Sequence, residues 1–213
     1  MADNYLGRKM EEYFTRPNRR DTRRPARTLE QLLLKNRSHR GYDARFAVRE
    51  DQLRSIIGVN ARIPSARNQQ VLRFRPVLAA EASKVLGHIR LGGALPEMRL
   101  PLPGTEPNAF IIICSTVEES RYVDIDLGIS AQSMLLRAVE MGLNGICIGA
   151  FDKEAIRREF DLPYDPLLIL AVGRGIERIE LDEIGENESH AYYRDEQGTH
   201  HVPKLRTESL ILE

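Results

Sequence analysis

Two short basic segments, far apart in the chain, have the composition of an anion-binding site. The first, "NRSHRGYD" at residues 36–43, places Arg37, Ser38 and Arg40 within four positions. The second, "VPKLR" at residues 202–206, places Lys204 and Arg206 two apart, on one face of an extended strand. Guanidinium groups bind phosphate through paired hydrogen bonds, and a hydroxyl adds a donor. Each segment alone also fits a solvated surface.

A third segment, "PSARNQQ" at residues 64–70, is rich in amide and hydroxyl groups and has no apolar anchor. It joins a helix-like run to a strand-like run, a task for which Gly, Pro or one Asn or Asp would suffice. Its composition therefore raises the question of what else these polar groups contact.

Several other kinds of site are not expected. "GRG" at residues 173–175 lacks the third glycine and the helix of a dinucleotide fingerprint, and no phosphate-binding loop or G-x-S-x-G elbow occurs. His200 and His201 are adjacent, so they point to opposite sides of a strand, and no metal site is predicted. Cys114 and Cys147 lie in apolar strand-like runs, so we predict buried, unreactive thiols and no disulfide.

Composition favours a single domain of medium size in a reducing, cytoplasmic environment. The chain has 213 residues, with 31 Lys and Arg against 31 Asp and Glu, so no net charge attracts nucleic acid or a membrane surface. No apolar run is long enough to span a membrane, and the N-terminus lacks the apolar core of a secretory signal. Composition therefore gives no reason to expect a nucleic acid or a membrane as partner.

The hydrophobic periodicity predicts a mixed α/β layer without internal repeats. Helical patterns span residues 5–14, 28–36, 50–61, 79–88, 122–143 and 153–160; strand patterns span 72–78, 109–116, 145–151 and 167–173; the remainder is a polar tail with one possible hairpin at 190–202. The Arg-rich stretch at residues 16–27 is either an exposed extension or an anion-binding arm. Residues 91–108, with three Gly and four Pro, form a long loop that either binds a ligand or is a tolerated insertion.

In order and spacing, these segments resemble the FMN-dependent nitroreductase family. The resembling blocks are "NRSHR", "ARIPSARNQQVLRF", "DLGISAQSMLLRAVEMGLNGICIGAFD", "LILAVG" and "VPKLR". The resemblance covers roughly residues 28–207, which leaves an Arg-rich extension at 1–27 and a short tail at 208–213. It implies an α+β fold in three α/β/α layers, with a mixed, mainly antiparallel sheet flanked by helices, in a homodimer with FMN at the subunit interface.

The resemblance also assigns roles to individual residues. Arg37 and Ser38 would hold the phosphate with Lys204 and Arg206, and Arg40 would reach the flavin pyrimidine edge. The 64–70 segment would cover the isoalloxazine and ribityl edge across the interface, through Pro64, Ser65, Ala66 and Asn68. The backbone of Ile148, Gly149 and Ala150 would run beside the ring, near N5. No side chain needs to act as acid or base, because the flavin carries the chemistry.

The implied activity is ping-pong hydride transfer from NAD(P)H through flavin N5 to a nitroaromatic, quinone or enone acceptor. Two departures from the family pattern stand out: Asn36 replaces a first Arg, and Val71 and Leu72 replace a Pro-Trp pair after Gln70. A flavin-binding carrier or redox sensor without turnover is an alternative. An anion- or nucleic-acid-binding module that uses the Arg-rich arm is another.

Overall fold

The computed structural model describes residues 27–91 and 100–212. The predicted helix at residues 5–14, nearly all of the Arg-rich extension and residues 92–99 of the 91–108 loop lie outside this range. The helices are α1 (Leu29–Lys35), α2 (Glu50–Ile57), α3 (Ala82–Leu86), α4 (Arg121–Glu140) and α5 (Lys153–Glu159); the strands are β1 (Leu72–Val77), β2 (Ala109–Ser115), β3 (Asn144–Ile148), β4 (Asp165–Gly173), β5 (Ile179–Ile184), β6 (Tyr193–Arg194) and β7 (His200–Leu205); single 3₁₀ turns span Gly58–Ala61, Ala66–Asn68, Ala79–Glu81 and Thr207–Leu210.

Local sequence determines where the main helices begin and end. Thr28 and Gln31 form a reciprocal capping box at the start of α1, while Ser120 and Asp152 accept backbone N–H groups at the starts of α4 and α5. Beyond the end of α4, Gly142 adopts a φ of +79°, a left-handed conformation that glycine adopts without strain. These signals agree with the predicted helices to within a few residues.

The central sheet has the order β1-β2-β4-β3, and all of its strand pairs are antiparallel. Every residue of β2 is buried, and its side chains alternate between the two faces of the sheet. Ile111 and Ile113 pack with residues of α2 and α4 on one face, whereas Phe110 and Ile112 pack with residues of α3 and α5 on the other. Helices thus cover both faces, which confirms the predicted three-layer α+β architecture.

A second, smaller sheet follows in the order β5-β7-β6. β6 and β7 pair antiparallel, as expected for the hairpin predicted at residues 190–202, whereas β5 runs parallel to β7. β5 lies in the stretch that the periodicity assigns to a polar tail, and that prediction is wrong. Its sequence, "IELDEI", is half acidic, which hides the strand pattern.

One of the two cysteines does not lie where we predicted. Cys114 is buried in β2, but Cys147 is exposed on β3, which forms an edge of the central sheet. The strand is apolar in sequence because its neighbours Ile146 and Ile148 enter the core.

Among the residues described here, no helix is both long and apolar enough to cross a membrane.

Candidate functional site

The two basic segments meet in one cavity, which we call the anion cavity. Its volume is about 280 Å³, and it contains four of the residues predicted to bind phosphate or flavin: Arg37, Ser38, Arg40 and Lys204. The remaining lining residues come from the end of α1, from α4 and from the second sheet: Asn36, Gln132, Ile179, Tyr192, His200 and Val202. The β5-β7-β6 sheet therefore forms one wall of the anion cavity, and the segment after α1 forms another part of its lining.

The segment after α1 is fixed to the central sheet by its backbone. Ser38 forms a parallel bridge with Gly145 of β3, and the N–H of His39 donates to the Gly145 carbonyl at 3.2 Å. A Cβ at Gly145 would lie 2.7 Å from the carbonyl oxygen of Ala171 and 2.5 Å from Leu135. The close packing of β3 against Ala171 of β4 and Leu135 of α4 therefore requires glycine at this position, where the segment pairs with the backbone.

A buried carboxylate, Glu177, holds the other end of the segment. It accepts hydrogen bonds from the backbone N–H groups of Arg40 and Gly41, the latter at 3.0 Å, and from the guanidinium of Arg194. Burial alone raises the pKa of Glu177, but these hydrogen bonds outweigh that effect and the net pKa lies below its ordinary value. Glu177 therefore stays ionised and fixes the backbone beside the anion cavity.

Two arginines in the cavity retain unused donors. The Nε atoms of Arg37 and Arg40 are buried and have no hydrogen-bond partner within the described part of the chain. Arg37 uses another nitrogen to donate to the Leu33 carbonyl, and burial lowers the pKa of its guanidinium. The Arg40 guanidinium lies 5.3 Å from the centre of the Tyr192 ring. Buried donors without partners are unfavourable, so the cavity suits an anion such as a phosphate group.

Arg206, the fourth residue predicted at the phosphate, lies outside the lining of this cavity. It follows the last residue of β7, is exposed, and forms an ion pair with Glu183 at 3.3 Å. Lys204, two residues earlier, lines the cavity. Of the two cations in "VPKLR", the geometry therefore favours Lys204 as the one available to a ligand.

The 64–70 segment forms a tight loop in which three residues other than glycine have left-handed backbone conformations. These are Arg67, Asn68 and Gln70, with φ values of 52°, 55° and 47°. Such conformations are costly for most residues and persist only when surrounding contacts enforce them. Part of that enforcement is internal, since the Gln70 amide donates to Asn68 Oδ1 at 3.0 Å and the Gln70 N–H donates to Ser65 Oγ at 3.3 Å.

The remaining enforcement comes from Asp126 of α4, a residue that the sequence analysis missed. Its buried carboxylate accepts the Ala66 N–H at 2.7 Å and the Gln69 side-chain amide at 2.9 Å. The neighbouring Ile125, although apolar, is 45% exposed. Asp126 and Ser130 are both buried and lie four residues apart, a spacing that places two polar groups on one helix face and could have revealed them.

Pro64 and Ser65 line a second cavity of about 240 Å³ together with Asp126 and Ser130. This cavity, which we call the loop cavity, shares no lining residue with the anion cavity. Ala66 lies beside it and Asn68 is exposed at the surface. One chain therefore does not bring the 64–70 loop into the anion cavity.

The last predicted group, Ile148 to Ala150, follows the end of β3. Ile148 is buried in the core, whereas Gly149 and Ala150 are exposed, and a Cβ at Gly149 would meet nothing within 4 Å. The Ala150 carbonyl accepts the Arg90 N–H at 2.8 Å and borders a third cavity of about 390 Å³. The backbone at Gly149 and Ala150 is thus accessible to a flat ligand.

No cluster of three potential metal ligands occurs among the described residues.

Comparison with known proteins gives a family for this arrangement. Residues 33–174, which contain the first basic segment, the 64–70 loop and the end of β3, match the sequence profile of the nitroreductase family. The chain belongs to the nitroreductase family. The match covers the central sheet with its helices, while β5 to β7, and with them Lys204, lie beyond it.

Individual proteins are similar to the chain either in sequence or in fold. A Methanocaldococcus jannaschii protein named as a nitroreductase is 40% identical over 57 residues, which are 27% of this chain and 29% of that protein, so the chain spans less than a third of this relative. A nitroreductase from Exiguobacterium sibiricum, solved in complex with FMN, superposes with a TM-score of 0.59 at 17% identity, covering 72% of this chain and 91% of that chain. An FMN-dependent nitroreductase from Clostridium difficile gives 0.55 at 22% identity, covering 69% and 87%.

Proposed function

We propose that this nitroreductase-family protein is an FMN-dependent oxidoreductase that uses NAD(P)H to reduce a nitroaromatic, quinone or enone acceptor. The observation that carries the proposal is the anion cavity, where Arg37 and Arg40 present buried unpartnered donors beside Lys204. Arg37, Ser38 and Lys204 would hold the FMN phosphate, and Arg40 would reach the pyrimidine edge. When bound, FMN supplies hydride acceptance and donation at N5. The FMN named for two structural relatives supports this choice.

The other predicted residues would shape the space around the ring. The exposed backbone at Gly149 and Ala150 offers hydrogen-bonding groups without a bulky side chain, and Ile148 anchors it in the core. Pro64, Ser65, Ala66 and Asn68 would cover the ring and ribityl edge, where small and amide side chains allow close contact. These assignments follow the family resemblance and the accessibility of each group.

A binding assay tests the cavity directly. Purified apo-protein is titrated with FMN, and the quenching of flavin fluorescence gives a dissociation constant. Each of the substitutions Arg37→Ala and Lys204→Ala removes a charge-assisted contact of about 1.5–3 kcal/mol, so each should weaken binding roughly tenfold or more. Arg206→Ala is the matched control, because that cation is paired outside the cavity. Equal losses in all three variants, or no FMN binding by the parent protein, would contradict the assignment.

We further propose that the functional unit is a homodimer in which the loop of one chain completes the cavity of the other. Two observations support this arrangement. The loop cavity and the anion cavity share no residue within a chain. In addition, α1 has no buried residue, and it leaves Leu29, Leu33 and Leu34 exposed beside the anion cavity. A second copy would cover this apolar surface, which is unusual for an isolated domain.

Subunit complementation distinguishes a shared site from a site within one chain. Arg37→Ala and Asn68→Ala chains, each impaired alone, are denatured together and refolded as mixed dimers. If each site takes Arg37 from one chain and Asn68 from the other, random pairing leaves about a quarter of all sites intact. If both residues serve the same chain, no intact site forms. Light scattering of the parent protein should give about twice the chain mass of 24.3 kDa.

Turnover separates an enzyme from a flavin carrier or redox sensor. Anaerobic addition of NADH or NADPH to the FMN-loaded protein should bleach the flavin absorbance, and a nitroaromatic or quinone should restore it over repeated cycles. Binding without bleaching would favour the carrier. A cytoplasmic location and the division into residues 1–27, 28–207 and 208–213 remain predictions.

A further inference from the structure

His200 is a buried histidine in the wall of the anion cavity. Its side chain enters from β7, the residue is only 2% exposed, and its Nδ1 atom is buried without a hydrogen-bond partner within residues 27–91 and 100–212. The adjacent His201 points to the other side of the strand, where it interacts with Asp182 and Asp195. A buried imidazole nitrogen without a partner is unfavourable, so it is expected to meet a ligand.

The surroundings of His200 orient its ring and keep it uncharged. Tyr192 packs edge-on against it, with ring centres 5.1 Å apart, and the Arg40 guanidinium lies over the same tyrosine. Burial, followed by the nearby charges of Arg40 and Arg194, lowers the pKa of His200; Glu177 opposes this effect and His201 adds to it. Lys204, from the same strand, is the other charged group lining this wall. An imidazole in this environment is neutral at neutral pH until an anion enters.

We propose that His200 is a further binding residue of the anion cavity, which donates a hydrogen bond to a phosphate monoester and takes up a proton as the dianion binds. The inference rests on the proposed FMN site, whose phosphate is the ligand expected there. A dianion beside the ring favours the charged imidazolium and offsets the unfavourable effects of burial and of the two arginines. The phosphate therefore satisfies the buried nitrogen, and the proton taken up partly balances its charge.

Calorimetry in phosphate-free buffers of different ionisation enthalpy measures both parts of the proposal. Apo-protein is titrated at about pH 7.5 with FMN, with riboflavin, which lacks the phosphate, and with inorganic phosphate alone. His200→Gln should weaken FMN binding about tenfold, riboflavin binding less than twofold, and should abolish proton uptake. The difference between parent and variant cancels the proton that the phosphate itself releases. His201→Gln, on the opposite side of the strand, is the matched control and should change both quantities little, because, of the groups that shift the pKa of His200, His201 has the smallest effect.

The possible results of the titrations distinguish a failure of the role proposed for His200 from a failure of the proposed function. If parent protein binds FMN while His200→Gln keeps the parent affinity and proton uptake, the role of His200 is refuted and the proposed function stands. If the parent protein binds neither FMN nor inorganic phosphate, the proposed function fails and the inference fails with it. Should the variant not fold, the parent protein still gives a test, because its FMN affinity must fall with rising pH more steeply than its riboflavin affinity. Equal pH slopes would overturn the proposal.

Discussion

Replacing Asp126 by alanine should release the 64–70 loop from α4. The carboxylate accepts two hydrogen bonds, from the Ala66 N–H at 2.7 Å and from the Gln69 amide at 2.9 Å. A hydrogen bond to a charged group contributes roughly 1.5–3 kcal/mol, so the two together give about 3–6 kcal/mol before any compensation. The substitution also leaves the half-buried Ala66 N–H without its acceptor.

Two effects reduce this figure. Removing a buried carboxylate avoids its desolvation penalty, which amounts to several kcal/mol for a buried ion. The loop also contains left-handed residues at Arg67, Asn68 and Gln70, and these relax once the constraint is lost. We therefore expect the free energy of unfolding to fall by about 2 kcal/mol. Because the lost contacts are local to the loop, the loop should lose more of its order than the change in the free energy of unfolding of the whole protein indicates.

Urea unfolding and amide hydrogen exchange measure the two consequences separately. Asp124→Ala, an exposed position on the same helix, is the control and should change stability by less than about 1 kcal/mol. In Asp126→Ala the Ala66 amide should lose its protection, and Asp126→Asn, which keeps one acceptor oxygen, should lie between the two. If Asp126→Ala matches the control in stability and Ala66 stays protected, Asp126 does not hold the loop.

Three further predictions concern other parts of the chain. Gly145→Ala should lower stability by about 1–3 kcal/mol or more, since its Cβ would lie 2.7 Å from a carbonyl oxygen of β4, whereas Gly128→Ala, in open space on α4, should raise it by up to about 1 kcal/mol in urea unfolding. A hydrogen bond to the Asp182 carboxylate of β5 raises the pKa of His201. The stabilisation by protonated His201 is therefore complete below about pH 6.5 and is lost as pH rises through the folded-state pKa. The urea midpoint should fall over this range in the parent protein and less in His201→Gln. Ellman's reagent should modify the exposed Cys147 in the folded protein, at a rate slowed because desolvation raises the pKa of its thiol, but Cys114, whose pKa burial raises to about 11, only after unfolding.

The layers of the fold were predictable because apolar periodicity and turn signals agree along most of the chain. The run at residues 109–116 could only be a central strand, and Gly142 marks the end of the long helix. β5 was not predictable in the same way, because acidic residues occupy both of its faces, Glu183 on one and Glu180 and Asp182 on the other, and interrupt the apolar alternation. Its pairing depends on β7, which lies about twenty residues later, and single-sequence periodicity does not report such distant contacts.

The candidate site was predictable by residue type, but its geometry was not. Arg37, Arg40 and Lys204 were chosen for their chemistry, and the structure brings them to one cavity. Arg206 satisfied the same reasoning, yet the end of β7 turns it toward Glu183. Strand spacing predicts the face on which a side chain lies only while the strand continues. Asp126 was missed because its function is to support another segment, and such support appears only when the packing is known.

The anion cavity keeps its positive charge because the nearest buried carboxylate is already engaged. Glu177 interacts with the backbone N–H of Arg40, not with its guanidinium, and it uses its other oxygen for Arg194. One acidic side chain thereby fixes the loop that carries Arg40, while the Arg40 guanidinium remains directed toward the tyrosine wall of the cavity. If Glu177 instead paired with the Arg40 guanidinium, the carboxylate would neutralise that positive charge. The site would keep its structure, but it would attract a dianion less strongly. Because the Glu177 carboxylate binds backbone N–H groups and Arg194, it holds the loop in place without neutralising the Arg40 guanidinium.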